Sequence, residues 1–400
     1  MSPVEPPPAD PRHGVLEAIA GALGARLHSA RRVRMEAGSG GFITGHEVQL
    51  DDGSGMLRTE TLYLDDGEHP DAEMLRLHDD SGTAITAWLY PNDPELPTLP
   101  AAVFPDAAAV LLQRLGLDSS GLQLAVLAYR PCKRAVVRMT TGTGTVYLKV
   151  LRPAVAETLH RLHETWFEAG IPVPRSLAWA PDGLVALAPL PGVEAIGRVE
   201  QLDDAFLDRL DELIAAIAAV PSERPARASL ASRSDWYLRR MTELAPEHAE
   251  RVRAITADVV AALHAAGAPP HGVTVHGDLH LGQVFVDAEA PSRIRGLLDI
   301  DTAGHGDPAD DAAAMWAHLA VTALQHGVNG DPDARRAAAD LAARQRERWP
   351  RRSDPTFSAR AGAISAIHLL GHALSGAVTP LQAIGLAEAS LAEGNPLVSA

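Results

Sequence analysis

Lysine is almost missing from this sequence. Of 35 basic side chains only Lys133 and Lys149 are lysines. That is the mark of a codon bias against lysine, under which a lysine kept on an apolar strand needs a reason. Cysteine is nearly absent too: Cys132 stands alone, so no intramolecular disulfide can form and a reducing compartment is expected. Positive charge is scarce as a whole. Fifty-one acidic side chains against 35 basic ones leave a net charge of −16. This argues against a nucleic-acid partner, because phosphate contacts need clustered Lys and Arg. No apolar run approaches the ~20 residues of a membrane-spanning helix, so no membrane partner is expected. The first residues, MSPVEPPPADPRHG, lack a charged-then-apolar leader pattern, and a cytoplasmic location is expected.

What is present is an ordinary soluble composition, 46% hydrophobic and 22% charged, over 400 residues. Residues 1–12 are Pro-rich and read as a disordered N-terminus. Residues 13–98 begin with helical periodicity and continue as short alternating runs split by Gly and Asp turns. That is the pattern of an antiparallel meander against one helix. Four prolines between Pro91 and Pro100 mark a linker. A helix over Ala107–Leu115 follows, with Asp106 placed to cap it. Three strands come next, LQLAVLAY, RAVVRM and VYLKV. A basic turn joins the first two, and Lys149 lies on the third. A helix spans Ala154–Ala169, LVALAPLPG reads as a strand running into a turn, and from Leu190 onward helical periodicity dominates.

Chemistry concentrates between Val275 and Asp311, VHGDLHLGQVFVDAEAPSRIRGLLDIDTAGHGDPADD. Val284–Val286 and Ile294–Leu298 read as a hairpin. Its closure brings together Asp278 and Gln283, ahead of the first strand, and Asp299, after the second. Phosphoryl transfer needs this set. One carboxylate aligns the attacking hydroxyl and takes its proton, while a carboxylate and an amide oxygen hold Mg²⁺ on the nucleotide phosphates.

The stretch resembles the aminoglycoside phosphotransferase family in His276-Gly277-Asp278, Leu298-Asp299, Gly306-Asp307-Pro308 and Asp311. The family usually has Asn where this chain has Gln283. His280-Leu281-Gly282-Gln283 is similar to the bacterial maltokinase and glucosamine kinase branch, whereas LLDIDTAGHGDP looks more like the aminoglycoside branch. The resemblance implies an α+β, protein-kinase-like bilobal fold. A cap-like α+β domain (13–98) precedes a small β-rich lobe (101–188) and a large helical lobe (189–400). It implies ATP and Mg²⁺ as cofactors. Lys149 would grip the phosphates with a helical glutamate, Glu157 by its place in the family, Glu164 otherwise. Arg130 and Lys133 lie in the turn that corresponds to the phosphate loop, or form a plain exposed turn. Ala188 and Leu190 would hold adenine by their backbone at the hinge. Gln283 and Asp299 would hold the metal and Asp278 would be the catalytic carboxylate. His276 would orient the loop, and Asp307 and Asp311 would brace it and cap the next helix. The acceptor would be a small-molecule hydroxyl: a sugar or amino sugar first, an aminoglycoside second.

Two readings of other kinds stay open. One is a nucleotide-binding homologue without turnover. The other is a metal-dependent hydrolase. If residues 276–280 were a strand, the alternation of His276, Asp278 and His280 would put all three on one face, able to bind a transition metal.

Overall fold

A computed structural model describes residues 12–37, 41–67, 75–79, 82–269 and 271–392. The chain falls into two compact units. Residues 1–161 and 176–189 form the first; residues 162–175 and 190–400 form the second. The expected disordered N-terminus lies outside the described residues except for Arg12. Arg12 pairs with Asp66 and donates to Thr44 Oγ1 at 2.8 Å. The last eight residues, 393–400, also lie outside.

The first unit carries two antiparallel sheets. Helix α1 (His13–Ala22) precedes β1 (Arg26–Ala37), β2 (Phe42–Asp51), β3 (Leu57–Asp65), β4 (Leu75–His78) and β5 (Ala84–Leu89), in spatial order β1-β2-β3-β5-β4. Helix α1 buries Val15, Leu16, Ile19 and Ala20. These pack with Val48, Leu50, Leu62, Leu64, Ile85 and Ala87 from alternate positions of the strands. The expected antiparallel sheet against one helix is there, but it departs from a meander: β3 pairs with β5, and β4 lies at the edge beyond it.

Helices α2 (Leu99–Val103) and α3 (Pro105–Arg114) lead into the second sheet, β6 (Gln123–Arg130), β7 (Arg134–Thr141) and β8 (Gly144–Leu151). Helix α4 (Pro153–Glu168), β9 (Ser176–Ala180) and β10 (Leu184–Leu187) follow. The strand order is β6-β7-β8-β10-β9, which puts β8 at the centre. Asp106 does not cap α3. Pro105 opens the helix one residue earlier, its fixed φ suiting the first helical position, and Asp106 falls inside the first turn.

Beside the α1 cluster, a second hydrophobic cluster crosses the boundary expected near residue 98. It contains Ile43, Tyr63 and Trp88 together with Leu99, Leu112, Tyr129, Val137, Leu148 and Leu184. Tyr63 stacks on Trp88 with ring centroids 5.6 Å apart and meets Tyr129 edge-on at 5.4 Å.

The second unit holds β11 (Val193–Glu194), α5 (Asp204–Ala218), α6 (Ser234–Leu244), α7 (Ala249–Ala266), β12 (Val273–Val275), β13 (Val284–Val286), β14 (Ile294–Leu297) and β15 (Gly304–Gly306). Helices α8 (Pro308–Val328), α9 (Pro332–Glu347), α10 (Phe357–Leu374) and α11 (Pro380–Leu391) complete it. Asp203 caps α5, accepting from Phe206 N at 3.0 Å. Helices α8 and α10 are buried around most of their circumference, with alanine filling much of that surface. Such helices form the interior of a unit rather than its face. The class is therefore mixed α+β, β-rich in the N-terminal region and helical in the C-terminal region. Among the described residues no helix is long and apolar enough to cross a membrane.

Candidate active site

The second unit carries a braced loop. β12 pairs antiparallel with β15, Val275 facing Gly304, and β13 pairs with β14, Val284 facing Leu297. The Asp278–Gln283 loop joins these two small ladders. The expected hairpin closes as its pattern predicts: Leu298 N donates to Gln283 O at 2.8 Å, so Asp299 follows directly on a residue bonded to Gln283.

His276, fully buried, ties the loop on three sides. Its backbone N–H donates to Asp311 Oδ2 at 2.8 Å, its Nε2 lies 2.8 Å from Leu298 O, and its carbonyl accepts from Thr302 Oγ1 at 2.9 Å. Gly277 N donates to Asp311 Oδ1 at 2.7 Å. Gly277 has φ +80°, and a Cβ there would sit 2.7 Å from Thr302 O, so the turn admits only glycine. Asp307 caps α8 through Ala309 N at 2.9 Å. It also receives the buried Arg360 guanidinium, Nε to Oδ2 at 2.6 Å, and Arg360 reaches Asp354 as well. His276, Asp307 and Asp311 are thus bracing groups.

Asp278 follows the glycine turn with its side chain 28% exposed. Its carboxylate is gripped by Arg227, Nη2 to Oδ1 at 3.1 Å and Nη1 to Oδ2 at 3.3 Å. Burial opposes ionisation of Asp278. The charge and hydrogen bonds of Arg227 outweigh it and hold the carboxyl below its ordinary range. Arg227 lies in the irregular segment between α5 and α6, where no periodicity or motif marks it. That segment is bonded to the loop: Arg227 N donates to Thr302 O at 2.9 Å and Ala226 N to His305 O at 2.9 Å.

Gln283 is 7% exposed, and its Oε1 is buried without a hydrogen-bond partner among the described residues. Leaving a buried amide oxygen unsatisfied costs about 1–3 kcal/mol, so such an atom invites a ligand. Asp299 adopts the left-handed conformation, φ +54° and ψ +47°, at the strand end. Asp tolerates it better than most residues, and strain of this kind gathers at functional sites. A carboxylate and an amide oxygen are the hard oxygen donors Mg²⁺ takes, with water and phosphate filling the rest of its shell. The residues present fit that ion.

The transition-metal arrangement does not form. β12 ends at Val275, so residues 276–280 are not a strand and the alternation has no common face. His276 turns to Leu298, and His280 Nδ1 accepts from Gly282 N at 3.2 Å. Among the described residues no group of three or more His, Cys, Asp or Glu side chains could hold a metal ion. His280 instead stacks on His318 of α8 at 4.0 Å, and His318 meets His372 of α10 edge-on at 4.4 Å. Burial holds His280, His318, His368 and His372 neutral, His368 at about 3 and His372 at about 4.

In the first unit Lys149 sits on the central strand, paired in register with Val136 and Val185, and is 4% exposed. Glu157, the glutamate expected beside it, pairs with Arg161 one turn on, at 2.7 Å, with its side chain 52% exposed. An i,i+4 pair of this kind is a common helix-surface contact. Arg130 and Lys133 both face Glu36 of β1, at 3.4 and 3.8 Å. Asp93, 3% exposed, ties their turn by accepting from Tyr129 Oη at 2.7 Å and Cys132 N at 2.8 Å. Neither Glu36 nor Asp93 carried a readable signal in the sequence. Ala188 follows β10 within the first unit, and the chain enters the second between Pro189 and Leu190. The Leu190 side chain lies over Gly296 of β14, where a Cβ would come within 2.6 Å of it.

No curated protein matches the chain. Solved structures similar to it include a thermostable aminoglycoside phosphotransferase APH(4)-Ia in ternary complex with ADP and hygromycin B, at 15% identity and TM-score 0.49, with 70% of this chain and 96% of that one covered. Another is the aminoglycoside phosphotransferase APH(3'')-Id of Streptomyces rimosus, at 19% identity and TM-score 0.40, with 65% and 98% covered. A third, from Ralstonia eutropha, is described as a possible aminoglycoside phosphotransferase, at 15% and 0.43, with 72% and 95% covered. The family model of the phosphotransferase enzyme family matches residues 133–354, more than half of the chain, and spans both Lys149 and the braced loop. The chain belongs to the phosphotransferase enzyme family.

Proposed function

We propose that this phosphotransferase moves the γ-phosphoryl group of ATP to a hydroxyl of a small molecule, a sugar or amino sugar first and an aminoglycoside second. The observation that carries the reading is the buried, unpartnered Gln283 amide oxygen, bonded through its backbone to the strand that ends in Asp299 and five residues after Asp278. Mg²⁺ATP, when bound, supplies the phosphoryl group with its charge partly neutralised.

The chain's residues do the rest by position and charge. Lys149 stands on the central strand of its sheet, where its ammonium would suit the phosphates. Gln283 and Asp299 supply hard oxygen donors to the metal. Asp278, ionised beside Arg227, accepts a hydrogen bond from the acceptor hydroxyl and then takes its proton. Each carboxylate oxygen keeps a second lone pair for that bond. Ala188 and Leu190 offer backbone groups to adenine. Arg130 and Lys133 touch Glu36, at 3.4 and 3.8 Å, and carry further N–H donors suited to phosphate. A lone cysteine suits a reducing compartment such as the cytoplasm.

The aminoglycoside alternative rested on Gly306-Asp307-Pro308. That segment caps α8 and holds Arg360. The test is ADP release with Mg²⁺ATP across sugars, amino sugars and aminoglycosides, with Asp278→Asn in parallel. Acceptor-dependent turnover that falls about 10²–10⁴-fold in the variant is expected. Equal behaviour of the two proteins on every acceptor, with ATP still bound, leaves a binding protein without this chemistry.

A further inference from the structure

The groups around Asp278 in its own unit carry a charge pattern of one kind. Arg227 covers both carboxylate oxygens and is pinned in place, its Nη2 also donating to Gly277 O at 3.0 Å. Tyr237 of α6, buried beside Gly371 of α10, is near enough to Arg233, Arg227 and Asp278 to feel their charges. The imidazoles of His280, His318, His368 and His372 line the same neighbourhood and are neutral. The carboxylates nearby are spent on the protein itself. Asp307 holds Arg360, Asp311 holds the amides of His276 and Gly277, and burial keeps Asp310 protonated up to about pH 7. Apart from Asp278 and Asp299, the carboxylate on the metal side whose charge also reaches His280, the groups named here are cationic or neutral.

We infer that Arg227 is the positioning and selectivity residue of this site: it holds the Asp278 carboxylate in place, and its charge selects an acceptor without ammonium groups, an uncharged or acidic sugar, over a polycationic one. Two effects follow from one guanidinium. The two-pronged grip fixes the carboxylate plane in a way a single-point cation cannot. The same charge opposes any ammonium brought up to Asp278, and like-charge juxtaposition is how a site rejects the wrong partner.

This inference rests on Asp278 being the proton acceptor, and the experiment separates the two claims. Initial rates with Mg²⁺ATP are measured for wild type, Arg227→Gln and Arg227→Lys on uncharged sugars, sugar acids, amino sugars and aminoglycosides, with thermal unfolding of each protein. Wild type is expected to favour uncharged or acidic sugars. Arg227→Gln is expected to lose about 10²-fold in kcat on them, to narrow the preference over amino sugars about tenfold, and to move the acid limb of the kcat/KM profile to higher pH. Arg227→Lys keeps the charge without the fork, so it should retain the preference while losing kcat. A folded Arg227→Gln enzyme with unchanged selectivity and pH profile overturns the inference. If the Gln variant does not fold, a Lys variant with wild-type kcat overturns it equally. Aminoglycosides as the best wild-type acceptors overturn it while leaving the kinase reading intact. No turnover on any acceptor sinks the kinase reading, and this inference with it.

Discussion

At the scale of the residue, the site depends on how a few polar atoms are or are not satisfied. Gln283 has the longer side chain where the related pattern has Asn, and its buried Oε1 has no hydrogen-bond partner among the described residues. Removing that oxygen with Gln283→Ala should raise the Mg²⁺ concentration for half-maximal activity by about 10–100-fold, the range seen when a metal's surroundings are disturbed. Unchanged Mg²⁺ dependence would remove Gln283 from the metal site. Asp310 is a different case. Burial, foremost, pushes its carboxyl up to about 7. In the unfolded chain it titrates near 3.9, so between about pH 4 and 7 the folded state holds the extra proton and stability falls as pH rises. Asp310→Asn keeps the shape without the charge. It should flatten that slope and stabilise the protein at pH 8 by on the order of 2–4 kcal/mol. Denaturant melts at pH 5 and pH 8 give the comparison, and parallel shifts at both would contradict it.

At the scale of the element, α8 and α10 meet across histidines rather than only across alanines. His318 is clamped between His280 and His372, and His368 is buried one turn from His372. Burial lowers all of their pKa values, to about 3 for His368 and about 4 for His372. The sign is opposite to that of Asp310. These groups stay neutral in the fold and take up protons near pH 6.5 when unfolded, so stability is lost as pH falls from about 6.5 through 4. His372→Phe, which keeps a ring, should shrink that acid loss; a Tm-against-pH curve identical to wild type would show that the cluster does not drive it. Arg360 joins α10 to the start of α8 through Asp307 and also holds Asp354. Arg360→Ala would strand Asp307 and should cost about 3–5 kcal/mol, as breaking buried pairs does. A loss under 1 kcal/mol in urea melts would count against it.

At the scale of the whole molecule, the N-terminal sheet keeps one cluster with α1 and shares a second with the strands after residue 98. Tyr63 and Trp88 pack in one cluster with Tyr129, Leu148 and Leu184. Trp88→Ala should therefore destabilise the second sheet as well, by about 3–5 kcal/mol. A chain starting at residue 101 should expose Leu112 and Tyr129 and aggregate. A soluble, cooperatively melting 101–400 fragment would show that the second sheet is self-sufficient. The same sheet supplies Glu36, the carboxylate on Arg130 and Lys133, and Arg34, which donates to Tyr129 O. The conformation of the basic turn is thus set partly by residues some 95 positions earlier.

Local pattern carried the sequence reading a long way. Strands β6–β8, α4, the hairpin β13–β14 and the helices after Asp307 were legible because each is governed by periodicity and punctuation within a dozen residues. Asp278, Asp299 and Gln283 were legible as candidates because the hairpin that bonds Leu298 to Gln283 is local. Lys149 stood out because the sequence has only one other lysine. Tertiary structure decided what depends on distant chain. It turned Glu157 toward Arg161, set Glu36 against the basic turn and packed Ile43, Tyr63 and Trp88 with residues beyond position 98. It brought Arg227 from 51 residues upstream onto Asp278 and collected histidines from α8, α10 and the loop around it. No periodicity encodes such contacts. They arise because burying the apolar faces leaves polar groups to find partners wherever the packed elements place them.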